Sequence, residues 1–250
     1  MRFADKVVLV TGAGSGAGRA IARGFAREGA VVVAAARGGD ALEQTVKLIE
    51  AEGGRALART VDVTDSAGVA RLVRGIVSDL GRLDIAVNNA GTFVAGPVAD
   101  LAEDDWARVM EVNATGMFLA MKHEIAAMRA QGSGVIVNIG SRVGAHMRVP
   151  GLGAYGASKA VVSVLTRTAA LECIRDGIRI NAISPGPLDT PMSMRPGETE
   201  ADRTNRLRKE LPIGRVGTLD EITGTVLWLA SDDAGFAVGL DLALDGGATA

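Results

Sequence analysis

Aromatic residues are scarce in this chain of 250 residues: five Phe, two Trp and a single Tyr make up 3% of it. Cysteine occurs once, at Cys173, which excludes an internal disulfide. The two histidines, His123 and His146, lie far apart in sequence, so neither a metal site of the zinc type nor a His-based catalytic triad is expected. An excess of one charge is also missing. Lys and Arg number 27 against 29 Asp and Glu, a net charge of −2, and no like-charged block is long enough to track phosphates. Nucleic acid and anionic membrane surfaces are therefore not expected partners. No apolar run approaches the ~18 residues of a membrane span. The opening MRFADKVVLVTGAG turns to glycine too early for a signal peptide, and the cytoplasm is the expected location.

Hydrophobic residues are abundant, at 48%, and so is glycine, at 33 residues, about twice the usual ~7%. The apolar residues fall into short β-rich runs separated by longer helical patterns, the signature of βαβ units and a parallel sheet. Strands are predicted at Lys6–Val10, Val31–Ala35, Ala56–Val61, Ile85–Val87, Val135–Ile139, Ile178–Ile183 and Leu240–Leu244. Their near-continuous apolarity fits strands covered on both faces. Helices are predicted near Arg19–Glu28, Ala41–Glu52, Ala67–Leu80, Asp104–Ala130, Ala154–Arg175 and Leu219–Ala230. With no linker or internal repeat, residues 1–250 read as a single α/β domain with a doubly wound parallel sheet.

Five of the seven prolines, Pro185, Pro187, Pro191, Pro196 and Pro212, crowd one long segment after a predicted strand. Open α/β sheets bind ligands at strand C-termini, so a substrate lid is expected near 188–212. The charged stretch Glu198–Glu210 reads as its solvated helix face, and Met192 and Met194 as a soft wall.

Thr11-Gly12-Ala13-Gly14-Ser15-Gly16-Ala17-Gly18 follows the first strand and opens a helix. Glycines there permit a tight turn and close approach of a pyrophosphate, whose charge meets the free N–H groups of the helix N-terminus. Arg19 follows Gly18 where a P-loop would have Lys and then a hydroxyl, which argues against a Walker-type ATPase.

This run, Thr-Gly-x-x-x-Gly-x-Gly, resembles the cofactor motif of the short-chain dehydrogenase/reductase family. The family's other markers follow in order: Asp62-Val63, Asn88-Asn89-Ala90-Gly91, Asn113, Ser141, Tyr155-x-x-x-Lys159 and Pro185-Gly186, down to Asp245-Gly246-Gly247. The resemblance spans the chain and implies a Rossmann-like fold, a nicotinamide cofactor and a homotetramer. Ala17 stands where the family usually has isoleucine, and Gly140 where serine is frequent. The segment from Arg142 to Ala154 is about one residue longer than usual and is expected to bulge near His146–Val149.

Tyr155 and Lys159 are four apart on a predicted helix and so share one face. A neighbouring cation favours the phenolate, and the expected effect is a Tyr155 pKa well below the usual ~10. The resemblance implies that Tyr155 exchanges a proton with the substrate oxygen, that Ser141 hydrogen-bonds that oxygen, and that Lys159 also holds the nicotinamide ribose. Asn113 is implied to anchor a water linking Lys159 to solvent. Cofactor contacts are implied at Gly12, Gly14, Ser15, Gly16, Ala17, Ala36, Arg37, Asp62, Val63, Asn89, Ala90, Gly91, Tyr155, Lys159, Pro185, Gly186, Leu188 and Thr190, the last meeting the nicotinamide carboxamide.

In this fold a carboxylate after the second strand binds the adenosine ribose hydroxyls, whereas a neutral residue followed by Arg accommodates a 2′-phosphate. Here Ala36-Arg37-Gly38 has no carboxylate before Asp40, so NADP(H) is expected in preference to NAD(H). Ser15, where many NADP-dependent relatives place a basic residue, points the other way. The expected substrate is a small carbonyl compound or secondary alcohol. The nearest subgroup in overall pattern is the 3-oxoacyl thioester reductases, with a secondary-alcohol, sugar or sterol-type dehydrogenase as the alternative. A non-catalytic dinucleotide-binding regulator is the alternative from another class, and the intact Tyr155 and Lys159 pair opposes it. His123, His146 and Cys173 read as packing residues.

Overall fold

The computed structural model describes residues 1–195 and 197–250; Pro196, counted above with the lid prolines, lies outside the described residues. Seven strands form one parallel sheet: β1 Val7–Thr11, β2 Val31–Ala36, β3 Arg55–Thr60, β4 Ile85–Asn88, β5 Gly134–Ile139, β6 Ile178–Pro185 and β7 Asp241–Leu244. Their spatial order is β3-β2-β1-β4-β5-β6-β7. The chain therefore builds outward from β1 in one direction, then returns to the other side of β1 to lay down β4. That reversal leaves a crevice beyond the C-terminal ends of β1 and β4, where neighbouring connections diverge to opposite faces.

Eight helices cover the sheet among the described residues: α1 Gly16–Arg27, α2 Gly39–Ala51, α3 Ser66–Leu80, α4 Glu103–Met110, α5 Gly116–Gln131, α6 Gly153–Cys173, α7 Glu200–Glu210 and α8 Leu219–Ala230. Side chains of a strand alternate between faces. Val8 and Val10 of β1 thus enter one apolar layer with Ile21 and Phe25 of α1 and Ile222 and Val226 of α8. Val7 and Leu9 enter the other, with Val73 and Ile76 of α3, Met121 of α5 and Val162 of α6. Each fully buried side chain of the size of Leu9 or Phe25 contributes about 1.5–3 kcal/mol. Helices α1 and α8 approach closely because α1 has Gly24 at the crossing, where a Cβ would collide with the Thr223 methyl.

The helical region predicted as continuous over Asp104–Ala130 is interrupted. Between α4 and α5 the residues Glu111–Thr115 form a π-turn, with the Gly116 N–H bonded to the Glu111 carbonyl. Such wide turns occur where a helix is bent at a functional position, and Asn113 lies within this one. The helix after the glycine turn starts at Gly16, and α2 starts at Gly39, each earlier than its apolar pattern suggested.

The lid segment contains structure of its own. Pro191–Ser193 forms a 3-10 turn, and α7 begins with a capping box in which the Thr199 and Asp202 side chains and N–H groups bond reciprocally. The expectation of a solvated helix face over Glu198–Glu210 is corrected in part. Leu207 is fully buried, and Arg203 turns inward to Asp189 Oδ1 (2.8 Å) and Ser193 Oγ (3.1 Å). Arg206 bonds Glu198 (2.7 Å) and the Ser193 carbonyl (3.0 Å). The charges of this helix pin the lid to its own root.

The lengthened segment after Ser141 forms a closed turn in which the Gly144 N–H bonds the Met147 carbonyl and the Met147 N–H bonds the Arg142 carbonyl, both 2.9 Å. From it His146 reaches Asp241, with Nε2 3.2 Å from the buried Oδ2. Asp241 Oδ1 in turn accepts from Ser184 Oγ at 2.6 Å. The second histidine, His123, lies 3.2 Å from Ser66 Oγ, and Cys173 is buried.

Candidate active site

The glycine turn is sewn to the end of β4. Thr11 Oγ1 accepts from the N–H groups of Asn89 (3.1 Å) and Ala90 (3.2 Å), and Asn89 Nδ2 donates to the carbonyls of Thr11 (3.1 Å) and Gly12 (3.3 Å). This close stitching explains Gly18: a Cβ there would collide with the Gly12 carbonyl and sit 2.5 Å from Asn89 Nδ2. Helix α1 opens with no side-chain cap and no acidic residue in its first turn, so its free N–H groups remain available to an anion in the crevice. Arg19 supports the turn from behind by bonding the Gly14 carbonyl and Thr45 Oγ1, and Thr45 Oγ1 donates to the Ala13 carbonyl at 2.9 Å. Uncapped N–H groups and a cradle that side chains would fill together fit a dinucleotide pyrophosphate.

Around this turn opens a cleft of about 1130 Å³. Every residue expected to contact the cofactor lines it, from Gly12 through Arg37, Asp62 and Asn89 to Thr190. Thr190 faces the glycine turn, since a Cβ on Gly16 would sit 3.4 Å from its Cγ2. At the far corner Arg37 is exposed, and Gly38 and Gly39 leave open space beside it. Asp62, near Arg37, accepts from the Thr64 N–H (2.9 Å) and hydroxyl (2.8 Å), which hold its carboxyl below the usual range.

Ser141, Tyr155 and Lys159 also line the cleft. Gly140 is explained by crowding: a Cβ there would lie 2.8 Å from Ser184 Oγ. The Tyr155 ring packs edge-on against Phe93, with centroids 5.1 Å apart. Lys159 is buried on the next turn of α6 and donates from Nζ to the Ile139 carbonyl at 2.9 Å.

Burial works against the expected depression of the Tyr155 pKa. Burial raises the phenol, and a hydrogen bond from Ser141 opposes this only in part. Burial also pushes Lys159 down to about 8. The amine therefore loses its charge before the phenol ionises and no longer stabilises a phenolate there.

Asn113 is buried behind Gly91 rather than on the cleft wall. Its Oδ1 accepts from the Thr92 N–H (2.8 Å), while Nδ2 donates to the Thr92 carbonyl (2.9 Å) and Ser158 Oγ (3.0 Å). Ser158 Oγ donates to the Tyr155 carbonyl at 2.7 Å. With both amide hydrogens committed, Asn113 ties the loop after β4 to the first turn of α6. A water donating to Asn113 would find the main-chain carbonyl or the second lone pair of Oδ1.

Below the cleft lies a buried polar cluster that sequence reasoning missed. Asn88 Nδ2 donates to Glu124 Oε2 (2.8 Å) and to Asn138 Oδ1 (3.1 Å), and Asn138 Nδ2 donates to Thr166 Oγ1 (2.9 Å). Glu124 is fully buried, and desolvation pushes its pKa up to about 7. Glu124 Oε1 and Asn88 Oδ1 are both acceptors without a hydrogen-bond partner among the described residues. A proton on Glu124 would give this acceptor-rich cluster a donor. The sequence signal was a lone Glu among the apolar residues of α5. Phe93 and Arg142 were also missed, though Phe93 lies two residues beyond Gly91 and Arg142 directly follows Ser141.

Comparison with known proteins agrees with this geometry. The chain belongs to the short-chain dehydrogenase/reductase family, whose members bind a nicotinamide dinucleotide, and it is an oxidoreductase acting on CH–OH groups. The matching family model, described as Enoyl-(Acyl carrier protein) reductase, covers residues 12–249. The chain is 42% identical over 253 residues to cis-4-hydroxycyclohexanecarboxylate dehydrogenase of Sinomonas cyclohexanicum, covering 99% of this chain and 98% of that one. It is 38% identical over 247 residues to a 3-oxoacyl-[acyl-carrier-protein] reductase of Thermotoga maritima, covering 99% of each. Among solved structures, NAD+-bound xylitol dehydrogenase superposes with a TM-score of 0.93 at 35% identity, covering 99% of this chain and 100% of that one. Among the described residues, no helix is long and apolar enough to cross a membrane.

Proposed function

We propose that the protein interconverts a small ketone and its secondary alcohol with NADP(H). The observation that carries the chemistry is the convergence of Ser141, Tyr155 and Lys159 on the cleft that the glycine turn opens. The bound nicotinamide supplies or accepts the hydride. Tyr155 gives the substrate oxygen its proton in reduction and takes it back in oxidation, and the Ser141 hydroxyl hydrogen-bonds the same oxygen. A raised phenol pKa keeps Tyr155 protonated at neutral pH, which suits the donor role. Lys159 holds the nicotinamide ribose, and Asn113 fixes the helix turn from which both side chains project.

Arg37 supports NADP(H). Its guanidinium makes no hydrogen bond among the described residues, it stands beside open space, and β2 ends without a carboxylate. A bidentate guanidinium matches a phosphate dianion. The name of the xylitol dehydrogenase shows that a similar fold takes NAD+, so the test is made on the corner itself. Ala36→Asp combined with Arg37→Ala is expected to shift the NADPH/NADH ratio of kcat/KM toward NADH by about 10- to 100-fold, the scale of a lost charge-assisted contact. An unchanged ratio would refute the NADP(H) assignment.

The similar hydroxycyclohexanecarboxylate dehydrogenase of Sinomonas cyclohexanicum supports a secondary alcohol on a compact frame. A 3-oxoacyl thioester is the second reading, supported by the Thermotoga reductase. It ranks lower because Arg195, Arg203 and Arg206 of the lid are each paired with a carboxylate, which leaves only Arg208 and Lys209 of α7 as exposed lid cations without an ion pair among the described residues. A screen of small ketones against acetoacetyl thioesters separates the two. We also read a homotetramer, supported by exposed Phe118, Val164 and Leu171 on α5 and α6 and by exposed Phe236 and Val238 before β7.

A further inference from the structure

Five cations line the cleft, and four have an evident occupation. Arg37 faces the ribose corner and Lys159 belongs to the reacting centre. Arg195 and Arg206 are held by Glu210 and Glu198. The fifth, Arg142, directly follows Ser141 in the wall of the cleft, half-buried. Its guanidinium has no hydrogen-bond or ion-pair partner among the described residues, although its main chain is fixed at both ends. The Arg142 N–H donates to the Pro185 carbonyl at 3.1 Å, and its carbonyl accepts from the Met147 N–H at 2.9 Å.

The two carboxylates near enough for their charge to act on Arg142 are Asp245 and Glu210. Both are already committed. Asp245 accepts from the N–H groups of Gly247 (3.1 Å) and Ala248 (3.2 Å) and from Thr249 Oγ1 (2.7 Å). Glu210 pairs with Arg195 (3.0 Å) and Arg206 (3.3 Å). A guanidinium does not escape desolvation by losing its proton under ordinary conditions, so a partly desolvated one without a protein partner gains when an anion reaches it. The cleft that Arg142 lines also has apolar lining, including Phe93, Val149, Leu152 and Met192. That combination suits a hydrocarbon frame with a single anionic end.

We propose that Arg142 binds a substrate carboxylate, so that the preferred substrates are oxo acids and hydroxy acids whose carboxylate stands several bonds from the reacting carbon on an apolar frame. This rests on the carbonyl–alcohol reading above. Arg142 is then a specificity-determining residue, and its planar fork would take the carboxylate through two parallel N–H···O bonds.

The test compares matched pairs that differ in the charged group: 4-oxocyclohexanecarboxylate against 4-methylcyclohexanone, and 4-oxopentanoate against 2-pentanone. Each is assayed for kcat/KM with NADPH and with NADH. The wild-type protein is expected to favour the oxo acid of each pair by about 10- to 100-fold, the range of a charge-assisted hydrogen-bond pair. Arg142→Met should bring that ratio close to one, chiefly through KM, and Arg142→Lys should retain part of it. NADPH fluorescence titration shows whether each variant still binds cofactor. Wild-type preference for the neutral ketone overturns the assignment of Arg142 while leaving the reductase reading intact. So does a ratio that survives Arg142→Met, or a loss in Arg142→Met that is equal for both members of each pair. Absence of turnover with every carbonyl and both cofactors overturns the reductase reading, and this inference with it.

Discussion

Replacing Glu124 by Gln tests whether the buried carboxyl beneath the cofactor loop is neutral. In the folded chain Glu124 has its pKa pushed from 4.5 up to about 7 by complete burial, with only Asn88 Nδ2 bonded to it. A group whose folded pKa is raised contributes stability that is present below the unfolded value and lost as pH rises toward the folded value. For Glu124 the loss runs from about pH 4.5 to about pH 7 and then levels off. At about 1.36 kcal/mol per pH unit this amounts to about 3 kcal/mol. Gln has the same shape and carries no such penalty. It can accept from Asn88 Nδ2 as Glu124 does, and its amide brings a donor to a cluster in which Asn88 Oδ1 has no partner among the described residues. The variant is therefore expected to gain under about 1 kcal/mol at pH 5 and about 3 kcal/mol at pH 8. For a chain of this size the latter is a Tm increase of about 6–12 °C. Thermal unfolding followed by circular dichroism, at both pH values and at equal protein concentration, reads the difference between the two proteins and cancels the other titrating groups. A gap that is the same at pH 5 and pH 8, or a variant less stable than wild type at pH 8, would show that Glu124 is held as an anion and that the reasoning is wrong.

The single tyrosine makes a second test direct. Tyrosinate absorbance of the cofactor-free protein is expected to titrate above ~10, because burial raises Tyr155 and Lys159, at about 8, is neutral before the phenol ionises; a midpoint well below ~10 would show that the ammonium persists. Tyr155→Phe should lower kcat by about 10²- to 10⁴-fold, the usual worth of a positioned proton donor, and activity near wild type would remove Tyr155 from the mechanism. Gly18→Ala forces a methyl against the Gly12 carbonyl and Asn89. It should cost about 1–3 kcal/mol in stability and weaken NADPH binding measurably by fluorescence titration. Wild-type affinity would mean that the turn can open without disturbing the phosphate cradle.

Much of this protein was legible before the fold was known, because the relevant constraints are local. A strand covered on both faces must be apolar along its length, as Val7–Val10 of β1 is, and a strand-to-helix turn that admits a phosphate needs glycines in sequence. Tyr155 and Lys159 declare their shared helix face by spacing alone. Other features depend on residues that meet only across the fold. The π-turn around Asn113 was invisible because its sequence is compatible with an unbroken helix, and Asn113 finds Thr92 and Ser158 from distant elements.

Spacing suggested that Lys159 would lower the Tyr155 pKa, yet depth of burial sets both groups, and burial belongs to the tertiary structure. The same holds for the arginines. From sequence Arg142, Arg195 and Arg206 are equivalent surface cations; in the fold two are neutralised by Glu198 and Glu210, and one stands half-buried beside Ser141 with no partner among the described residues. Sequence by itself determined the parallel sheet, the glycine turn and the helix face that Tyr155 and Lys159 share, since each is a pattern of near neighbours. Tertiary structure alone decided which charges face the cleft without a partner and which carboxyl is buried beneath it, because desolvation and pairing depend on every element that closes around a group.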